Sequence, residues 1–404
     1  MSYTYFNISD KLRLYEFEGL LDQYGDATAA YSLRKLRNDY TGSAIRVRRS
    51  SDNAERDMGF YDNELDTVAL LDWVNQEVNI ADYNVISNVG NTIATKIAPF
   101  TYNATSDGNG GSTIRPKISF TTTTAGNSYQ LIITPSNQSG TINFKLYDGS
   151  SYIITGNDLS AGIDTTFTAN GGVFIAFNGT QIFNVDFTIE LNALSADGHV
   201  QTWYDQSANA NHAVQNTDTA QPKIVDAGTL VTDNGSPSIV FDGVDDFLKS
   251  TLPGIPEGTD HTVSAVTNHN GTIGCYFENG KGYNGRYFNA DNSGYYSVLS
   301  INGTYNYTSS LNTNFTTNQQ VNVISVATNS ATNYDVYVNN TSETGTKTTS
   351  VPVGTNETYI GQQNRPQDPK WWTGDIQEIV FWSVDQTDSV DDIEQNTNTY
   401  YNIY

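Results

Sequence analysis

Three carboxylates in one short turn are the first group with the chemistry to bind a ligand. The turn reads Asp242-Gly-Val-Asp-Asp246, so Asp242, Asp245 and Asp246 lie within five residues. Carboxylate oxygens are ligands that Ca²⁺ prefers, and the turn is therefore a candidate calcium site. A tight turn of solvated acids is the alternative. We predict no other cofactor.

Aromatic side chains among Asn, Asp and Gln form the second group. Aromatic rings stack on the apolar faces of pyranose rings, while amides and carboxylates bond the hydroxyls. On strands, adjacent residues point to opposite faces, so one residue of the pair Trp371-Trp372 belongs to the core. The other is a sugar platform or an oligomer contact. The candidates for stacking are Tyr283, Tyr287, Tyr295, Tyr296, Trp371 and Trp372.

Groups that serve acid–base or nucleophilic catalysis are sparse. The four histidines are scattered, and no phosphate-binding glycine loop or nucleophile elbow is present. Asp205 and His212 are expected to fix a strand end by hydrogen bonding, with a calcium role for Asp205 as the alternative. Cys275 lies in an apolar stretch and is expected to be a small buried side chain.

Composition excludes several classes of protein. The chain has 404 residues, a formal net charge of −24 and one Cys. This charge opposes binding to nucleic acid or to anionic membranes. A single Cys allows neither an internal disulfide nor a cysteine zinc site. No apolar run is long enough for a transmembrane helix, and the first residues lack the pattern of a secretory signal.

Three segments have the apolar spacing of helices. The first is Asp26–Asn38, with Asp26 as a predicted N-cap. The second is Leu65–Val78, and the third is Ser389–Tyr404, whose last aromatic residues are expected to pack on a sheet. Between the first two, residues 44–49 alternate as a strand with an arginine face. We interpret those arginines as solvated or salt-bridged, with an anion site as the alternative.

The rest of the chain has short alternating runs separated by Gly, Asn and Asp turns, which predicts antiparallel sheets. Residues 82–196 are rich in Thr, Asn, Gly and Ser and are predicted to form a β-sandwich of their own. Residues 197–404 differ from this block in composition. Strands are predicted there at 199–204, 238–241, 261–268, 295–301, 321–327, 334–338, 359–360 and 376–382.

Residues 20–80 and 197–404 carry a pattern that resembles a known family. It includes Leu20-Leu-Asp-Gln-Tyr24, Thr202-Trp-Tyr-Asp-Gln-Ser207 with Asn211-His212, and Ile239-Val-Phe-Asp-Gly243. The pattern resembles the catalytic-domain family of fungal arabinofuranosidase B, a concanavalin A-like jelly roll also found in phage and marine bacterial surface proteins. The segment from Tyr359-Ile-Gly361 to Val380 is similar to the last strands of laminin-G-like jelly rolls.

The resemblance implies an all-β fold with an interrupted jelly roll. About 115 residues separate its two halves, and insertion of a whole sandwich at an exposed loop is well tolerated. We expect an N-terminal docking or edge segment at 1–19 and a concanavalin A-like domain at 20–81 and 197–404. The inserted sandwich is expected at 82–196.

The same resemblance argues against catalysis. In this resemblance the family's paired cysteines are reduced to Cys275, and both of its catalytic carboxylates are missing from the matching positions. The nearest substitutes are Glu278, Asp291 and Asp368. A retaining glycosidase needs two carboxyl groups about 5–5.5 Å apart. We therefore expect a protein that binds sugars without cleaving them.

These observations lead to one prediction of function with two alternatives. We expect a structural protein on a phage virion surface, such as a capsid decoration, head fibre or tail component, with a lectin-like adhesive surface. Its expected partners are other virion proteins, host or environmental glycans and further copies of itself. The alternatives are a secreted arabinofuranosidase-like hydrolase and an extracellular bacterial adhesin module.

Overall fold

The computed structural model describes most of the chain. The described residues are 18–75, 84–87, 92–98, 101–107, 117–120, 123, 128–156, 159–178, 182–193, 196–254, 259–271, 273–281, 284–291, 294–301, 304–307, 319–328, 333–346, 357–364 and 369–404. Antiparallel strands dominate these ranges, as predicted. None of their helices is long and apolar enough to cross a membrane. The predicted segment 1–19 lies almost wholly outside them.

The first part of the chain has two helices and five strands. Helix α1 is Leu20–Gln23 and helix α2 is Thr67–Val74, which confirms a helix in the segment predicted from Leu65. The Asp66 side chain caps α2 by accepting a hydrogen bond from the Ala69 amide at 2.9 Å. Strands β1–β5 are Ala27–Ser32, Ile45–Arg49, Glu55–Met58, Phe60–Tyr61 and Glu64–Leu65.

The helix predicted over Asp26–Asn38 is wrong, because β1 occupies this segment. Ala29, Ala30 and Tyr31 are all fully buried, so the strand is covered on both faces. A strand of that kind has no alternating polar face, and its apolar residues fit a helical spacing equally well. Asp26 is not an N-cap, since its φ is 58°.

The predicted arginine strand is β2, and its arginines are ion-paired. Arg46 Nε lies 2.7 Å from Asp57 Oδ1, and Arg49 Nε lies 2.8 Å from Asp52 Oδ1. Arg48 Nε lies 3.6 Å from Asp218 Oδ1 and donates to Gln221 Oε1 at 2.7 Å. These partners confirm the salt-bridged interpretation, and they neutralise the groups that an anion site would need.

The described strands between residues 84 and 193 form the second sandwich. Strands β7, β8, β10, β13 and β15 form one five-stranded sheet, and β6, β9, β11, β12 and β14 form the other. Their inward side chains build a hydrophobic cluster of their own. The division of the chain at 82 and 196 stays our prediction. Strands β6–β15 are Asn84–Ser87, Thr92–Ala98, Thr101–Asp107, Lys117–Phe120, Ser128–Gly140, Asn143–Tyr147, Tyr152–Gly156, Ile163–Thr168, Val173–Asn178 and Ile182–Ala193.

The last part of the chain completes the jelly roll. Its strands confirm those predicted from alternation, with ends that differ by a few residues. Strands β16–β25 are Gly198–Trp203, Ala213–Val214, Lys223–Asp226, Thr229–Leu230, Thr232–Asp233, Ser236–Pro237, Ile239–Asp242, Leu248–Ser250, His261–His269 and Ile273–Lys281. Strands β26–β35 are Asn284–Asp291, Gly294–Ile301, Thr304–Tyr307, Gln320–Ala327, Asn333–Val338, Thr341–Thr346, Thr358–Ile360, Gln362–Gln363, Lys370–Trp371 and Thr373–Trp382.

The jelly roll packs two curved layers face to face. Strand β35 pairs with β1 and β22 along one edge and with β24 along the other. The second layer contains β23, β32, β25, β26 and β27. Phe277 of the second layer lies 5.6 Å from Phe381 of the first, between ring centroids. Such contacts between layers that share the same core define a β-sandwich.

Helix α3, Val390–Tyr401, follows β35 and confirms the predicted C-terminal helix. Val390, Ile393 and Tyr401 are buried, whereas Tyr404 is half exposed. The Tyr401 hydroxyl reaches the Glu378 carboxylate on β35 at 3.3 Å. The helix is therefore held against the sheet by apolar packing and by one buried polar contact.

Asp205 fixes the turn after β16, as the sequence predicted. Its carboxylate accepts hydrogen bonds from the amides of Ala30, Ser207 and Asn211 at 2.7–2.8 Å. It also accepts one from the Ser207 hydroxyl. The Asp205 amide donates to His212 Nδ1 at 3.1 Å. Both residues therefore have structural roles that join this turn to β1.

Replacing Asp205 by alanine is expected to destabilise the jelly roll. The change leaves several donors without an acceptor, and Asp205 is only 1% exposed. We expect a loss of at least about 3 kcal/mol in the free energy of unfolding, measured by urea denaturation. The exposed Asp226→Ala variant is the control and should unfold close to the wild type. Equal stability of Asp205→Ala and wild type would contradict this role.

Candidate functional site

The acidic turn and Trp371 lie on the same side of the jelly roll. Strand β22 ends at Asp242, which is opposite Thr373, two residues after Trp371. The turn then leads to Phe247, whose ring centroid is 6.1 Å from that of Trp371 and 5.9 Å from that of Tyr359. The fold thus joins two candidates that are far apart in the sequence into one site.

The turn is built by its own carboxylates. Asp242 Oδ1 accepts hydrogen bonds from the amides of Val244 and Asp245 at 2.8 and 3.2 Å. Asp246 Oδ2 accepts one from the Asp242 amide at 3.0 Å. Gly243 has a φ of 76°, and a Cβ there would collide with Thr373. The tight glycine turn therefore brings the three acids close together.

Carboxylate oxygens of Asp242, Asp245 and Asp246 all lie within 4.8 Å of one another. Asp242 is exposed, Asp245 is half-buried and Asp246 is buried. Burial, together with the charges of Asp242 and Asp245, raises the pKa of Asp246 to about 7. A bound cation would relieve this repulsion, and an all-oxygen set of donors suits a hard cation such as Ca²⁺. The residues fit the predicted calcium site.

Phe247, Tyr359 and Trp371 form an aromatic cluster beside the turn. Phe247 and Trp371 are half-buried, so part of each ring faces solvent, whereas Tyr359 is 5% exposed. The Tyr359 hydroxyl donates to Glu357 Oε2 at 3.1 Å and accepts from Asn364 Nδ2 at 2.9 Å. This arrangement combines an apolar ring surface with amide and carboxylate groups at its rim.

Lys249 is a cation at this site. Its ammonium nitrogen lies 5.5 Å from the centre of the Tyr359 ring and 3.3 Å from Glu357 Oε1. The lysine charge is therefore compensated locally, while the three aspartates carry the dominant charge nearby. The site favours neutral hydroxyl groups or a cation over an anionic ligand.

Three of the tryptophan and tyrosine candidates are buried, which corrects the prediction for them. Trp372 and Tyr287 are 0% exposed and Tyr295 is 1% exposed. Trp372 packs against Tyr276 and Tyr295 at ring distances of 5.6 and 6.3 Å. These side chains point into the sandwich core and are not accessible to a sugar ring. Tyr283 and the side chain of Tyr296 lie outside the described residues.

The substitutes proposed for catalytic carboxylates do not form a pair. Glu278 is 0% exposed, and its Oε2 accepts a hydrogen bond from the Asn364 amide at 2.5 Å. Asp291 lies opposite Ile273, which is five residues from Glu278 along β25. At about 3.3 Å per residue, the two acids are on the order of 15 Å apart. This exceeds the separation in retaining and inverting glycosidases. Asp368 lies outside the described residues.

Cys275 is buried, as predicted, and its thiol donates to the Phe277 carbonyl at 3.3 Å. Phe247 and Tyr359 were missed by the sequence analysis. Phe247 follows the acidic turn directly, which was an available signal. Tyr359 was assigned to a strand, and nothing in the sequence places that strand beside Trp371.

A separate groove of about 580 Å³ lies between α1 and α3. Tyr24 and Tyr400 line it together with amide side chains. Arg34 at this groove is bound by Glu378, with Nε 2.7 Å from Oε2, so its charge is neutralised. None of the predicted site residues lines this groove.

No family model and no curated protein matches the chain. Solved structures give weak matches. The pentraxin of Limulus polyphemus is 17% identical with a TM-score of 0.31, over 42% of this chain and 83% of that one. Domain 4 of AbnA, an extracellular arabinanase from Geobacillus stearothermophilus, in complex with arabinotriose, is 17% identical with a TM-score of 0.32, over 41% and 79%. The Ruminococcus gnavus IT-sialidase CBM40 bound to sialyllactose is 13% identical with a TM-score of 0.29, over 35% and 95%. Similarities this weak leave the ligand of this chain open.

Calcium is expected to stabilise the protein through the acidic turn. At a concentration ten times its Kd, calcium should add about 1.4 kcal/mol to the free energy of unfolding, because it binds only the folded turn. The rise in Tm is measured by scanning calorimetry, with Asp245→Asn expected to abolish it. Asp226→Asn, an exposed acid elsewhere, should keep it. A Tm that does not change with calcium would rule out this site.

Proposed function

We propose that the chain is a non-enzymatic, lectin-like protein that binds glycans at the site formed by the acidic turn, Phe247 and Trp371. The observation that carries the proposal is the partly exposed ring surface of Phe247 and Trp371 beside three clustered carboxylates. Such a surface offers stacking for the apolar face of a sugar and acceptors for its hydroxyls.

The polar groups around the aromatic rings indicate which class of glycan the site binds. Asp242 and Asp245 are the accessible acids, and they repel a carboxylate or sulfate on the ligand. Asn364 adds an amide at the same edge through its bond to Tyr359. A calcium ion held by the turn would supply further coordination for hydroxyl oxygens. We therefore favour a neutral glycan at this site.

Replacing Trp371 by alanine is expected to weaken glycan binding about tenfold. This corresponds to the loss of roughly 55 Å² of apolar contact at 25 cal/mol per Å². Binding is measured on an array of neutral and acidic glycans and then by calorimetry with the best ligand. Tyr61→Ala is the matched control, because Tyr61 is an aromatic residue of the jelly roll with 75% exposure.

Unchanged affinity in Trp371→Ala, or an equal loss in Tyr61→Ala, would contradict the assignment of this surface. Trp371→Phe keeps a stacking ring and is expected to retain most of the affinity. This conservative variant separates loss of the ring from a change in folding.

The alternative, an arabinofuranosidase-like hydrolase, is tested directly. The buried Glu278 and the distant Asp291 lead us to expect no turnover of arabinofuranosides or pectic substrates. Release of sugar by the wild type, abolished in Glu278→Gln, would replace the binding proposal by an enzymatic one.

For the biological setting, we propose the outer surface of a phage particle, in a decoration, fibre or tail component made of several copies. The resemblance to phage surface proteins and the acidic, Cys-poor composition support this setting. Mass spectrometry of purified virions is expected to detect the chain. Its absence from particles would favour the adhesin alternative.

A further inference from the structure

Three aromatic residues form a row across the inserted sandwich. Tyr147 on β11 lies directly opposite Tyr152 on β12 and directly opposite Phe174 on β14. The Tyr147 and Phe174 rings are stacked, with centroids 4.7 Å apart and planes at 24°. The Tyr152 ring is 5.3 Å from Tyr147. Together the rings make a continuous aromatic surface that spans three neighbouring strands.

This row lies on the outer face of the sheet. Phe144, Leu146 and Ile175 alternate with the row residues on β11 and β14, and all three are buried in the sandwich core. Side chains of a strand alternate between faces, so Tyr147 and Phe174 point away from that core. Tyr152 at the end of the row is 49% exposed. The surface is open to a ligand.

Two lysines lie over the same rings. Lys117 Nζ is 4.1 Å from the centre of the Phe174 ring, and Lys145 Nζ is 4.7 Å from the centre of the Tyr152 ring. Among the described residues, no carboxylate forms an ion pair with either lysine. The sequence between 82 and 196 has only four basic residues, so half of them lie on this row. These are Lys96, Arg115, Lys117 and Lys145.

We propose that this lysine-flanked aromatic row binds an acidic polysaccharide, whose apolar sugar faces contact the exposed Tyr152 and the outer edges of the stacked rings and whose anionic groups pair with Lys117 and Lys145. This second glycan site is separate from the jelly-roll site. It binds an acidic glycan, whereas the jelly-roll site favours a neutral one. It does not depend on the acidic turn or on Trp371.

The two lysine charges favour an acidic polysaccharide over the three other kinds of occupant that could cover the row. A neutral glycan or an apolar protein patch would leave both ammonium groups without a counter-charge. A second copy packed face to face would bring lysines against lysines. An acidic polysaccharide supplies both an apolar sugar face and the anions that pair with the two lysines. These local positive charges must outweigh the net charge of −24, which by itself repels a polyanion.

The test compares acidic polysaccharides with their neutral counterparts on the full chain. The probes are polygalacturonate against its methyl ester and dextran sulfate against dextran, measured by biolayer interferometry. We expect at least one acidic probe to bind more tightly than its neutral counterpart. The double variant Lys117→Gln/Lys145→Gln should lose about two- to fivefold in affinity per lysine for the acidic probe only.

Tyr152→Ala should weaken binding of the acidic probe about fivefold, because it removes an exposed ring from the row. Lys249→Gln is the matched control, since Lys249 also lies over a tyrosine ring but at the jelly-roll site. Circular dichroism confirms that each variant is folded, and Tyr152→Phe should restore binding.

The outcomes separate the two sites. Failure of every acidic probe to bind more tightly than its neutral counterpart overturns the inference. The inference is also overturned if Trp371→Ala or Lys249→Gln loses binding of the acidic probe while the row variants keep it. The jelly-roll site then binds glycans as proposed, but without the preference for neutral ones. A change in sedimentation mass on Tyr152→Ala, without polysaccharide binding, would instead make the row a contact between copies.

Discussion

The buried carboxylate of Glu378 holds together parts of the jelly roll that are far apart in the sequence. It accepts hydrogen bonds from the Ser32 hydroxyl at 2.8 Å and from Arg34 Nε and Nη2 at 2.7 and 2.9 Å. The Tyr401 hydroxyl completes the set. One side chain on β35 is thus bonded to the segment after β1 and to α3. Removing one partner of such a buried pair costs about 3–5 kcal/mol.

The hydrogen bonds of Glu378 hold β35 in place, and β35 in turn positions the residues of the jelly-roll site. The strand begins at Thr373 beside the acidic turn and continues to Glu378 and beyond. Trp371 and Trp372 precede it, so the pairing of β35 determines which of them faces the core. In the second sandwich, two cross-strand pairs align the aromatic rings of Tyr147, Tyr152 and Phe174. Acidic side chains lie beside the aromatic rings of the jelly-roll site, whereas lysines lie beside the aromatic row of the second sandwich. The two sites are therefore predicted to bind ligands of different charge.

Much of the fold was predictable from the sequence, because short runs rich in β-branched and aromatic residues are separated by turn residues. Strands β24 and β29 are buried on both faces and were still predicted, since their Val, Ile and Thr residues favour strands. Strand β1 was not predicted, because it is also buried on both faces but is rich in Ala, and its apolar spacing fits a helix. The alternation at Trp371-Trp372 correctly required one buried ring. Tyr287 and Tyr295 were assigned to the surface wrongly, because the direction in which they point is set by the packing of one layer on the other. Trp371 and Phe247 are in contact because of the way the strands pair, and a single sequence contains no information on that pairing.

Intrinsic fluorescence of Trp371 is the most direct test of glycan binding at the jelly-roll site, because Trp203, Trp372 and Trp382 are fully buried whereas Trp371 is partly exposed. Trp73 is also half-buried, but it lies on α2 with Arg49 over its ring, so the comparison with Trp371→Phe is needed to assign the signal. A glycan stacked at the jelly-roll site should change the emission of Trp371. The measurement is a titration of wild type and Trp371→Phe with the same glycan, with binding followed in parallel by calorimetry. We expect an emission change in wild type that disappears in Trp371→Phe while binding persists. The same change in both proteins would contradict this expectation.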